Sequence, residues 1–251
     1  VSALSSMILL FIVLTGLSVA SFIGSLSYRI PRNISIIKPP SFCPICKKRI
    51  KPYDLIPVFS FIFLRGRCRY CENRISLKYL MLEIGLPLIY VTLYLRIGIC
   101  VSLYAYCYLV SVLVYLSLVD AESGLIRGWD VLSVWLGGGF LLFLSFLGKL
   151  PYTPSHYLYG ALGASVLVAV SFVITYLIKK RMPMGKGDLL VIPGASLYFG
   201  GFEAIRILIF SSIVGVIIGM TLIICKKVEK NYSFPMMPFF AGGVLIEILL
   251  F

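Results

Sequence analysis

The chain has 251 residues, 60% hydrophobic and 13% charged, with 23 Lys and Arg against 10 Asp and Glu and a formal net charge of +13. A soluble domain carries about a quarter charged residues, so this composition excludes an ordinary water-soluble enzyme. Repeated uncharged runs of membrane length assign the chain to the all-α polytopic class, since only helices and closed barrels satisfy the backbone in lipid and these runs lack barrel alternation. The positive charge does not indicate nucleic acid, because the basic residues fall between apolar runs.

In chain order, about eight transmembrane helices are predicted, at 4–28, 78–97, 99–120, 129–148, 156–178, 187–201, 203–225 and 236–251. Residues 1–28 hold no charge, and Arg29 follows the run rather than preceding it. This is the pattern of a retained first span and not of a signal peptide. Gly16, Ala20 and Gly24 place small residues on one face of that span, which suits close helix packing. The sixth run holds Pro193 and Gly194 and is short for a simple crossing, so a broken or partly re-entrant segment is expected there.

With this numbering, 20 of the 23 basic residues fall on one side: twelve from Arg29 to Lys78, then Arg127, Lys179, Lys180, Arg181, Lys186, Lys226, Lys227 and Lys230. Arg96, Lys149 and Arg206 fall on the other. The positive-inside rule therefore places the 29–77 loop in the cytoplasm and both termini outside. Three regions are expected: a first helix at 1–28, a cytoplasmic four-cysteine loop at 29–77, and a transmembrane core at 78–251. No internal repeat is apparent.

The loop contains Cys43-Pro44-Ile45-Cys46 and Cys68-Arg69-Tyr70-Cys71. Two such pairs fit a four-thiolate structural zinc site with two knuckles, and a reducing cytoplasm argues against disulfides. A small loop also gains from a metal that supplies folding energy. Cys100, Cys107 and Cys225 lie in apolar runs and read as small core residues. His156 has no assigned role.

Among the carboxylates, Asp54 and Glu72 read as surface groups of the loop. Glu203 and Glu229 lie in or beside connections, and Glu247 reads as reaching the membrane interface. Asp120 ends the third span and Asp188 begins the sixth, within Met184-Gly185-Lys186-Gly187-Asp188. Both are expected at the cytoplasmic boundary, where a carboxylate pair can activate water and polarise a peptide carbonyl. Gly185 and Gly187 leave room beside Asp188 for an extended substrate backbone. From these residues alone, Asp188 as a helix N-cap and Asp120 as a solvated loop residue remain open. Glu83, one turn inside the second span, is either a functional carboxylate or a partner for a basic residue.

Taken together, these pieces resemble the prepilin leader peptidase/N-methyltransferase family. The resemblance runs through Ser21-Phe22-Ile23-Gly24-Ser25, Arg29-Ile30-Pro31, the cysteine segment 43–71, then Ile75, Tyr79 and Glu83. It continues in the GxGD element at 184–190, Gly194 and Gly200, and in Pro235 and Pro238 of 234–243. It implies that Asp120 and Asp188 are the catalytic pair of an aspartic endopeptidase. The substrate would be a type IV prepilin or type II secretion pseudopilin, cut after the glycine ending its basic leader at the cytoplasmic face of the inner membrane. It also implies N-methylation of the new N-terminus with S-adenosylmethionine. One departure from the family pattern is that Arg127 and Gly128 stand where the family carries Pro-Asp, with Asp130 two residues on. Two other classes compete: a proton-coupled transporter using Asp120, Asp188 and Glu83 as a relay, and a non-enzymatic assembly factor whose zinc loop binds a secretion partner.

Overall fold

A computed structural model describes residues 3–124, 126–180, 185–225 and 234–250. Arg181, Met184, Lys226, Lys227, Glu229 and Lys230, which enter the charge pattern and the GxGD element above, lie outside the described residues. The structure is all-α, with nine α-helices and one short 3-10 turn among the described residues. It divides into two compact units, Val1–Gly98 and Ile99–Phe251.

The first unit contains α1 (Ala3–Arg29), the 3-10 turn Pro52–Leu55, α2 (Phe59–Phe63) and α3 (Leu77–Ile97). Helix α1 packs on α3, and the small residues of α1 explain how. A Cβ on Gly16 would lie 2.7 Å from the Pro87 Cα, and one on Gly24 would lie 3.0 Å from the Tyr79 ring. Ala20, between them, is fully buried. Ser76 caps the start of α3 through the Lys78 N–H, and Gly98 ends it at φ 67°, a conformation that favours glycine.

The second unit contains α4 (Val101–Ser123), α5 (Gly128–Phe146), α6 (Pro154–Lys179), α7 (Lys186–Ser196), α8 (Gly201–Ile224) and α9 (Met237–Leu250). Helix α7 packs against α5 and α6, while α9 packs against α4 and α8. Glycine again sets the approach: a Cβ on Gly243 would lie 2.6 Å from the Ile207 carbonyl oxygen of α8. Hydroxyls in the apolar helices bond back to the carbonyl one turn earlier, as in Thr15 to Phe11 and Thr175 to Ser171, which satisfies those hydroxyl hydrogens within the helix.

Helices occupy all eight expected places, but six of them are long and apolar enough to cross a membrane among the described residues. Helix α7 has 11 residues and α9 has 14. At about 1.5 Å per residue these reach roughly 17 and 21 Å, against a hydrocarbon core of about 30 Å. The sixth run thus stops at Ser196, not 201, and Pro193 sits inside it.

Candidate functional site

The four cysteines of the 29–77 loop converge. Their sulfur atoms all lie within 4.8 Å of one another, and Cys43 Sγ is 3.9 Å from Cys71 Sγ. Tetrahedral zinc with bonds of about 2.3 Å needs sulfurs roughly 3.8 Å apart, so the donor set fits such an ion.

Each CxxC pair is a turn closed by the same backbone bonds. Lys47 N–H donates to Cys43 O, and Cys43 N–H to Lys48 O. The second turn repeats this, with Glu72 N–H to Cys68 O and Cys68 N–H to Asn73 O. Lys47 and Glu72 both take positive φ, 59° and 56°, and the bridges Phe42–Arg49 and Arg67–Arg74 flank the two turns. The two CxxC pairs seen in the sequence therefore fold as one repeated turn, with the same backbone bonds in each.

The Asn73 backbone N–H, the strongest influence on the Cys71 thiol, helps push it down to about 7. The Lys48 backbone bond pulls Cys46 the same way, but burial and the other three sulfurs outweigh it and push Cys46 up to about 11. Four thiols so close cannot all ionise without a cation to hold them.

Asp54 is no free surface group. Its two oxygens accept Arg69 Nε and Nη2 at 2.8 and 2.6 Å, and this pairing holds its carboxyl below the usual carboxylate range. Arg29, buried at the end of α1, donates to the carbonyls of Ser35, Ile36 and Pro39 and so ties down the chain leaving the membrane. A cavity of about 250 Å³ lies among α1, the knuckles and α3, lined in part by Arg29, Phe42, Tyr79 and Glu83. Glu83 meets no basic partner among the described residues; its carboxylate accepts the Val58 backbone N–H at 2.6 Å.

In the second unit, Asp120 and Asp188 line one cavity of about 700 Å³. Asp120 lies in the last turn of α4, which continues to Ser123, and it is buried. Its Oδ2 accepts the Met237 N–H of α9 at 3.0 Å, so it is not a solvated loop residue. Asp188 is the third residue of α7, whose N-cap is Gly185, so it is not the N-cap. It is buried, and its Oδ1 has no hydrogen-bond partner among the described residues. The two carboxyl groups lie within electrostatic reach of each other. Phe234, Pro235, Met236 and Phe240 form an apolar wall, with Ser211 and Gly215 of α8.

The glycines near Asp188 differ in role. A Cβ on Gly185 would lie 3.2 Å from Asp188 Oδ2, beside the carboxylate. One on Gly187 would lie 2.5 Å from the Ile126 side chain, so that glycine makes room for packing. Gly194 admits the Trp135 ring, whose Nε1–H donates to the Leu190 carbonyl at 2.9 Å.

Several expectations are corrected by burial. Glu247 is buried and paired with Arg206 of α8 rather than reaching the interface. Cys100 and Cys225 are exposed and Cys107 is half-buried, so none is a buried core residue. Asp130 caps α5 by accepting the Arg127 N–H and also accepts the Tyr115 hydroxyl; it is absent from the lining of the Asp120–Asp188 cavity. His156 stacks on Tyr152 at 4.3 Å between centroids. Glu122, which no motif singles out, is an exposed carboxylate lining the same cavity as Asp120; its two-residue separation from Asp120 was the available signal.

Residues 14–97 match the family described as the bacterial peptidase A24 N-terminal domain. Over 236 residues the chain is 28% identical to a prepilin leader peptidase/N-methyltransferase of Bacillus subtilis (strain 168), covering 93% of this chain and 91% of that one. It is 28% identical over 260 residues to a protein of the same description from Pseudomonas putida, covering 93% and 88%. One from Neisseria gonorrhoeae is 25% identical over 248 residues, covering 89% and 84%. No solved structure matches the chain.

Proposed function

We propose that this chain, which belongs to the prepilin leader peptidase/N-methyltransferase family, is a membrane-embedded aspartic endopeptidase with Asp120 and Asp188 as its catalytic pair. The observation that carries the reading is that these two buried carboxylates, far apart in sequence, line one cavity. One carboxylate takes a proton from a water molecule as its oxygen attacks the scissile carbonyl. The other, protonated, donates a hydrogen bond to the carbonyl oxygen, and the first carboxylate then passes the proton it took from water to the leaving amine, restoring the pair. The Met237 N–H fixes the Asp120 carboxylate, while Asp188 Oδ1 is an acceptor free for water or substrate.

The substrate is a type IV prepilin or type II secretion pseudopilin. Its apolar segment lies along the wall formed by Phe234, Pro235 and Met236, and its basic leader stays on the cytoplasmic side with the cysteine loop. That side follows from the positive-inside rule. The new N-terminus is then methylated from S-adenosylmethionine, an activity supported by the names of the relatives. Zinc on Cys43, Cys46, Cys68 and Cys71 has a structural role, supported by the fit of the four sulfurs.

The test is cleavage of a purified prepilin by the chain in detergent, read by product mass. Asp120→Asn and Asp188→Asn each abolish cleavage while thermal stability and metal content are retained. Cleavage by either folded variant refutes the pair.

A further inference from the structure

Helix α2 has two unlike faces. Phe61 and Leu64 line the 250 Å³ cavity, and the Phe61 ring packs where a Cβ on Gly66 would come within 3.0 Å. Phe59, Ile62 and Phe63 are 70%, 65% and 86% exposed, and Ile56 just before them is 50% exposed. A contiguous apolar cluster of this kind marks an interaction surface. Exposed Arg65 and Arg67 follow it directly.

The cluster is also held at a definite depth. Val58, at the N-cap of α2, has φ 64°, a positive value that a β-branched residue rarely adopts. Its N–H is bonded to Glu83 of α3. Glu83 lies five residues beyond Lys78, the basic residue at the start of this span. At about 1.5 Å per residue, that is about 7.5 Å along α3. The bond therefore lays the start of α2 against a level inside the span, within the roughly 5–10 Å at which interfacial helices seat their apolar faces. Around that level α3 itself exposes apolar side chains, Met81 at 70% and Ile84 at 49%.

We propose that α2 is an interfacial anchor. Phe59, Ile62 and Phe63 seat among acyl chains at the headgroup boundary, and Arg65 and Arg67 meet anionic headgroups. Glu83 is a positioning residue that sets the depth by holding Val58. Charge favours lipid as the occupant: from Arg29 to Lys78 there are twelve basic residues and two acidic ones, Asp54 and Glu72, and Asp54 is already paired with Arg69. Such a segment complements an anionic leaflet. The membrane is also present by construction, since helices of spanning length bracket the segment on both sides. The anchor restrains the cysteine knuckles at the bilayer surface, whatever reaction the second unit performs.

The test uses the full chain reconstituted in vesicles of phosphatidylethanolamine and phosphatidylglycerol, with a photoreactive benzoylphenylalanine replacing Phe63. Irradiation gives adducts mainly to lipid acyl chains. Adding Glu83→Ala lowers the lipid adduct at least severalfold while the metal content of the cysteine cluster is retained. Vesicles of phosphatidylcholine alone lower it about threefold or more, through loss of the arginine–headgroup attraction. Adducts mainly to protein, or none to lipid, overturn the anchor. Full lipid capture in the Glu83→Ala chain overturns the positioning role, and equal capture in neutral vesicles overturns the headgroup contact.

Discussion

Replacing Gly160 by alanine tests whether the packing of α6 holds the helix that carries Asp188. A Cβ at this position would lie 2.1 Å from the Phe199 carbonyl oxygen and 2.4 Å from that of Ser196. Real Cβ contacts essentially never fall below 3.0 Å, so a gap of 0.9 Å must open. Both obstructing atoms are backbone, in the segment that ends α7, and neither can rotate aside. Overpacking costs about 1–3 kcal/mol, and these backbone clashes belong at the upper end. The better helix propensity of alanine returns about 1 kcal/mol. The net loss of about 2 kcal/mol lowers Tm by roughly 4–8 °C. Since α7 is a single short helix, displacement of its C-terminal end carries to Asp188 near its start. A shift near 1 Å costs about 10- to 100-fold in cleavage rate. The control is Gly163→Ala on the same helix, where an added Cβ meets nothing within 4 Å. It leaves the rate unchanged and raises Tm slightly. Equal rates and equal Tm for Gly160→Ala and Gly163→Ala refute the reasoning.

On the proposed mechanism both carboxylates act in one step, so the Asp120→Asn, Asp188→Asn double variant is expected to be no slower than either single variant; multiplying losses in single-turnover cleavage would show independent roles. On the proposed zinc reading, Cys71→Ser is expected to lower bound zinc well below one ion per chain, measured by elemental analysis of purified protein, with a loss of order in the knuckles seen as faster proteolysis of the 29–77 loop. Asp54→Asn destabilises that loop at neutral pH. The folded carboxyl of Asp54 lies below its ordinary value of 3.8, chiefly through the Arg69 hydrogen bonds, so its contribution is present above that pH and is lost as the pH falls through the lower folded value. The difference in proteolytic resistance between wild type and Asp54→Asn therefore closes on acidification below 3.8, and a constant difference would show that charge pairing is not its source.

Much of the architecture was legible one segment at a time. Long uncharged runs must be helical in lipid, so helices stand at all eight expected places. Chelate spacing is equally local, and the two CxxC turns bring their sulfurs together as the spacing implies. Asp120 and Asp188 could be singled out because charge is rare in such runs. Their meeting at one cavity could not be read locally, since it depends on how α4, α7, α8 and α9 pack. That packing is set by single glycines such as Gly160, Gly194 and Gly243, whose missing side chains matter only once a particular carbonyl or indole stands opposite. The same holds for Glu83: its depth in a span marked it out, but its partner proved to be a strained backbone amide 25 residues away. Glu247 and Asp54 read as exposed because hydropathy reports residue type and not partner, and Arg206 and Arg69 reached them only through the fold. Local physics therefore determined which segments are helices and which residues could hold a metal or a proton. Tertiary packing decided which of those residues face one another, because close approach between helices depends on pairs of surfaces that no single stretch of chain contains.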